Sequence, residues 1–169
     1  VPVFGAATPQ TFYNALLSNM ADPATGKPDP EKQKQFRETH SDAKPLGEFM
    51  AKNNPPVSYA NIDFFSIHTF KFINANNQTT LVRWHFVPED GVKRLTDAEM
   101  GTMPARFLDD DLIAKTKKGP VRWNMMLTIG EDSDVQTNPT IYWPAERKTI
   151  QAGVLTLTSA TLQKGADCE

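Results

Sequence analysis

The side chains best able to move protons in this 169-residue chain are its three histidines, His40, His68 and His85. No two of them share a helical face at i, i+4. HExxH, CxxC and GxGxxG patterns are absent, so zinc, phosphate-loop and dinucleotide chemistry lack their usual groups. Ser66 and His68 are two apart and share a face on a strand, but no GxSxG elbow presents a serine as nucleophile. Asp109-Asp110-Asp111 is a carboxylate run. On a helix, consecutive positions point about 100° apart, so the run reads as a solvated face and not as a metal cup. Cys168 is the single cysteine, which excludes an intrachain disulfide framework and a Cys-rich zinc site.

His68 is the sharpest candidate. It alternates with Phe70 and Phe72 on the expected dry side of a hairpin. Two readings stay open: a satisfied core histidine, or a histidine facing a cofactor. Burial beside the two phenylalanines would favour neutral imidazole, which still donates one hydrogen bond. His85 lies on the opposite parity beside Arg83 and reads as a surface or interface residue. Phe4 and Phe12 are either ordinary core or ring contacts for a flat aromatic ligand.

The positioning elements follow from period and punctuation. Thr8 caps and Pro9 starts a helix carrying Phe12, Leu16 and Met20. Asp29-Pro30 repeats the signal and opens a polar helix to about Thr39. Pro45 opens a third, with Leu46, Phe49 and Met50 on one face, ended by Asn53-Asn54-Pro55-Pro56. From Phe64 the period becomes two. Phe64–Asn74 and Thr79–Val87 read as a hairpin. Setting His68, Phe70 and Phe72 against Val82, Trp84 and Phe86 requires even residues to pair with even, hence a three-residue loop, Asn76 to Gln78. Thr96 to Glu99 is a capping box. Ala105 to Lys118 is a helix with Phe107, Leu108, Leu112 and Ile113 inward, stopped by Gly119-Pro120. Val121 to Ile129 alternates strictly, Glu131 to Glu146 is a long loop, and Gly153 to Leu162 is a last strand. The class is α+β, with about four antiparallel strands that suggest part of a barrel.

The net charge is −2, and no Lys/Arg block offers a nucleic-acid footprint or a polybasic membrane patch. No apolar run is long enough to span a bilayer as a helix. Val1 to Gly5 and Lys164 to Glu169 read as the ends of an interior fragment. Compartment is left open between cytoplasm and periplasm.

In serial order, Pro2-Val3-Phe4, Thr8-Pro9-Gln10 with Phe12, Asp22 to Lys32, Ser66 to Asn74, Val82 to Glu89, Trp143-Pro144 and Gly153-Val154-Leu155 resemble the haem catalases. The match is nearest to the small catalase-related peroxidase branch. It covers nearly the whole chain. The resemblance implies a partial catalase core over 1–169: a helical segment over 1–60, then the second half of the β-barrel over 61–169 with two inserted helices. It implies haem b, walled by Phe4 and Phe12 and touched on its proximal side by Ser66, Ile67 and His68. The family has Gly-Ser-His at that last place, so only His68 is identical there.

The same resemblance places the distal histidine and asparagine upstream of Val1 and the iron-ligating tyrosine downstream of the chain. Tyr13, Tyr59 and Tyr142 do not match the ligand motif. No catalytic residue and no iron ligand is therefore expected in this polypeptide. His85 and Trp143 match positions at the family's NADPH site, but Val87, Ala145 and Asn53 stand where lysine, histidine and arginine are expected, so no NADPH is expected. The implied substrate is hydrogen peroxide. The implied partners are the remaining segments of the same polypeptide, in a homo-oligomer when intact. An allene-oxide-synthase-like enzyme and a haem-free structural or binding fragment are the alternatives.

Overall fold

The computed structural model describes residues 1–162; Cys168 and the closing residues 164–169 lie outside the described part. The α+β class is as expected. Helix α1 spans Pro9–Ser18, and the Thr8 side chain accepts from the Thr11 backbone N–H. Helix α2 spans Pro30–Thr39, with Asp29 accepting from the Glu31 N–H. In both, a proline at the first position gives up an N–H that no helix turn would have used. Helix α3, Lys44–Lys52, follows a single 3-10 turn at Ser41–Ala43. Both arms of the expected capping box form at Thr96 and Glu99 and open α4, Asp97–Met100. Helix α5, Phe107–Lys118, ends at Gly119.

Five strands, one more than expected, form one antiparallel sheet. They are β1 (Phe64–Phe65), β2 (Phe70–Ile73), β3 (Thr79–Pro88), β4 (Val121–Ile129) and β5 (Thr149–Leu157). The hydrogen-bonded order is β1-β3-β4-β5, with β2 also on β3. The extra strand arises because the first arm of the hairpin is interrupted. Phe65 pairs with His85 and Phe70 with Val82. Four residues, Ser66 to Thr69, thus occupy the span that Arg83 and Trp84 occupy on β3. The surplus cannot join the ladder, so it bends out as a bulge does.

Even residues do pair with even, and the loop has three residues. It is Ala75 to Asn77, one position earlier than expected, closed by Asn74 N–H to the Gln78 carbonyl. Asn77 takes φ 58°, which asparagine tolerates better than most side chains. The last strand starts at Thr149, not Gly153, and ends at Leu157. Its first residues pair with β4 beyond a register shift at Met125/Met126.

The chain forms two compact units. The first comprises residues 1–52, 66–83 and 129–148; the second comprises 53–65, 84–128 and 149–162 of the described residues. The second unit's core is Ala60, Val121 and Trp123, with Phe86, Leu112 and Leu157 packed on it. The Trp123 indole N–H donates to the Ile62 carbonyl, and Phe64 meets its ring edge-on. Phe65 and His85 stack in this unit at 5.5 Å and 13°. In the first unit, Val3, Val82 and Thr140 are almost fully buried. No described helix is long and apolar enough to cross a membrane.

A candidate cofactor wall and its supports

Phe4 and Phe12 come together, as a flat-ligand wall requires. Their ring centroids lie 5.5 Å apart with a tilt of 32°. Phe12 rides on the first turn of α1. Phe4 is anchored by its backbone, where its N–H donates to the Pro139 carbonyl at 2.9 Å. Phe12 keeps 44% of its surface exposed, so it is not ordinary core. An exposed phenylalanine on a capped helix is a surface available to a partner.

Ser66, Ile67 and His68 form a second, local feature within the interrupted hairpin arm. Ser66 is buried, and its hydroxyl donates to the His68 carbonyl at 3.0 Å. That bond fastens the bend between β1 and β2. His68 is not on a strand, and it is exposed. The expected dry face also differs: Phe70 and Phe72 are 39% and 41% exposed. His68 is therefore not set in a buried aromatic face. The alternation was legible, but the two surplus residues of the bend carried His68 out of the ladder.

His85, expected at a surface or an interface, is half-buried and stacks on Phe65. Burial pushes its pKa below the ordinary histidine value, opposed by nearby Asp63. Asp63 is itself pushed up by burial. Among the Asp109–Asp111 run, Asp109 and Asp110 are exposed, as expected. Asp111 bonds Lys115 at 2.9 Å.

Sequence reasoning missed the supports of Phe4. The loop between β4 and β5 is held by a part-buried ion pair and a buried tryptophan. The Arg147 guanidinium meets Asp134 through Nε at 2.9 Å and through a second nitrogen at 2.9 Å. That pairing holds the Asp134 carboxyl below the usual carboxylate range. Trp143 donates its indole N–H to the Val135 carbonyl at 2.9 Å. Arg83 lies over the Trp143 ring at 4.8 Å and donates to the carbonyls of Ile141 and Val135. This pins the loop from both sides, and the loop's Pro139 carbonyl receives Phe4. Trp143-Pro144 was visible as a motif, but nothing in the spacing linked it to residues 60 positions upstream.

Among the described residues, no three His, Cys, Asp or Glu side chains gather to hold a metal ion. The family model described as Catalase matches residues 1–162. The chain belongs to the catalase family. It is 54% identical over 168 residues to a catalase-related peroxidase of Synechococcus elongatus, covering 99% of this chain and 50% of that protein. A catalase-related peroxidase of Mycolicibacterium paratuberculosis is 28% identical over 112 residues, 66% of this chain and 36% of that one. Among solved structures, a fungal catalase superposes with a TM-score of 0.84 at 20% identity, over 95% of this chain and 35% of its own. Catalase A of Saccharomyces cerevisiae gives 0.82 at 20%, over 96% and 36%. These superpositions show the catalase fold. The chain spans half the length of the cyanobacterial relative and about a third of the others.

Proposed function

We propose that this chain forms one wall of the haem pocket in a peroxide-decomposing catalase or peroxidase. The observation that carries the reading is the paired rings of Phe4 and Phe12, in a chain that follows the catalase family model over residues 1–162. The residues present suit a broad, flat, apolar group: Phe12 offers exposed ring surface and Phe4 is anchored beside it. When bound, haem b supplies an iron that exchanges electrons with hydrogen peroxide.

Phe4 and Phe12 would orient the macrocycle and exclude water from its edge, since aromatic faces stack on aromatic faces at little conformational cost. Ser66 and Ile67 set the bend that holds a backbone edge of the pocket. The Ser66 hydroxyl is already committed to the His68 carbonyl, so its part is structural. His68, exposed on that bend, would donate a hydrogen bond or pack against the haem edge. The iron ligand and the distal acid–base groups belong to positions outside these 169 residues. That accords with the chain matching half of the cyanobacterial relative. The remaining segments of the polypeptide and further copies of it complete the enzyme.

The test is haem uptake by the intact protein. A Soret band near about 400 nm, set by the cofactor's own electronics, is expected. Its intensity should fall in Phe12→Ala, and loaded protein should consume hydrogen peroxide. An intact, folded protein that takes up no haem would overturn the proposal.

A further inference from the structure

Arg83 is the only buried lysine or arginine among the described residues, 9% exposed. Two of its guanidinium nitrogens have partners. One terminal nitrogen donates to the Ile141 carbonyl at 2.8 Å and the other to the Val135 carbonyl at 3.3 Å. The third nitrogen, Nε, is buried and has no protein partner. Asp134, the carboxylate whose charge Arg83 feels, is held by Arg147 instead. Leaving a buried donor of a cation unmade costs more than an ordinary hydrogen bond returns.

A second orphan stands beside it. The Thr69 Oγ1 is also buried and has no protein partner. Thr69 and Arg83 each lie one residue beyond the Phe70–Val82 pair, where β2 leaves the ladder for the bend. Residues opposite one another in such a pairing have their Cβ atoms about 4.5–5.5 Å apart. The two polar atoms do not bond each other directly. One water suits them. Its oxygen has two lone pairs, and the Arg83 N–H and the Thr69 O–H are two donors. Buried waters make about two to four such bonds to groups that the protein leaves unpaired.

We propose that one internal water bridges Arg83 Nε and Thr69 Oγ1, which makes Arg83 the positioning residue that ties the bend to the loop between β4 and β5. Through Ile141 and Val135 the guanidinium fixes the loop whose Pro139 carbonyl receives Phe4. Through the water it fixes the bend that carries Ser66, Ile67 and His68. All of these residues belong to the first unit. The consequence for the cofactor rests on the haem reading above; the bridge itself does not.

The test is a high-resolution crystal structure of the intact protein. A density peak is expected about 2.7–3.2 Å from both Arg83 Nε and Thr69 Oγ1. It should vanish in Thr69→Val, which keeps the shape and removes the hydroxyl, and persist in Thr69→Ser. No peak, a peak touching one atom alone, or a direct Arg83–Thr69 bond would overturn the bridge. An anomalous signal at that position in crystals grown with bromide would assign it to a halide and overturn the water. The positioning role is read from haem loss. Thr69→Val should release haem about tenfold faster, the scale of one hydrogen bond to a charged group, and Thr69→Ser should stay within about twofold. Equal release from all three proteins would overturn that role. If the intact protein takes up no haem, the haem reading falls while the density peak still decides the bridge.

Discussion

Gly130→Ala is a test of how the loop between β4 and β5 is fixed. A Cβ at Gly130 would lie 2.5, 2.7 and 3.1 Å from three ring carbons of Trp143. Ordinary carbon contacts begin near about 3.5 Å, so the ring must retreat by up to about 1 Å. It has little room to do so. Its N–H is bonded to the Val135 carbonyl, and Arg83 lies across its face. Overpacking of this kind typically costs about 1–3 kcal/mol, and a pinned indole puts Gly130→Ala toward about 2–3 kcal/mol. For a domain of this size that lowers the melting midpoint by roughly 4–12 °C. Urea unfolding of the intact protein, followed by tryptophan fluorescence, measures it. In a Trp143→Leu background the same substitution should cost far less, because the obstructing ring is gone. Haem affinity should fall too, since the loop carries the Pro139 carbonyl that anchors Phe4. A loss below about 0.5 kcal/mol, or the same loss in both backgrounds, would refute the reasoning.

Three further outcomes are expected. Phe12→Ala should cost chain stability no more than about 2 kcal/mol, because 44% of the residue stays exposed, yet weaken haem binding in a haemin titration. His85 has a folded pKa below its unfolded value, so the unfolded state binds the proton first. Stability should therefore fall as pH drops from about 6.5 through the folded value, and His85→Gln should flatten that part of the pH–stability curve. Asp63, whose folded pKa is raised, acts the opposite way, losing stability as pH rises through that raised value, so the double variant separates the two in the same measurement. At the hairpin, Asn77→Ala should destabilise by about 1 kcal/mol while Asn77→Gly should not, because only the alanine is strained at φ 58°.

Local chemistry was legible wherever it closes within a few residues. Thr8-Pro9, Asp29-Pro30 and Thr96 to Glu99 each satisfy their own helix start, so those boundaries follow from the sequence alone. The alternation of Val121 to Ile129 gave a whole strand, because a two-residue period has one structural solution. The parity of the hairpin was legible for the same reason. Parity does not fix offset, however: two surplus residues between Phe65 and Phe70 preserve it while shifting the pairing and lifting His68 out of the sheet.

The candidate site divides along the same line. Phe4 and Phe12 were legible through family resemblance, and α1 places Phe12 by its own cap. What fixes Phe4 was not legible. Its anchor, Pro139, sits on a loop pinned by Arg83, Trp143 and the Asp134–Arg147 pair, contacts that join positions far apart in sequence. Such contacts leave no periodic trace, because each depends on where separate elements bring single side chains. Sequence determined the helix starts, the strand period and the candidate aromatic pair. Tertiary packing alone decided which rings meet, how far each histidine is covered, and what anchors Phe4.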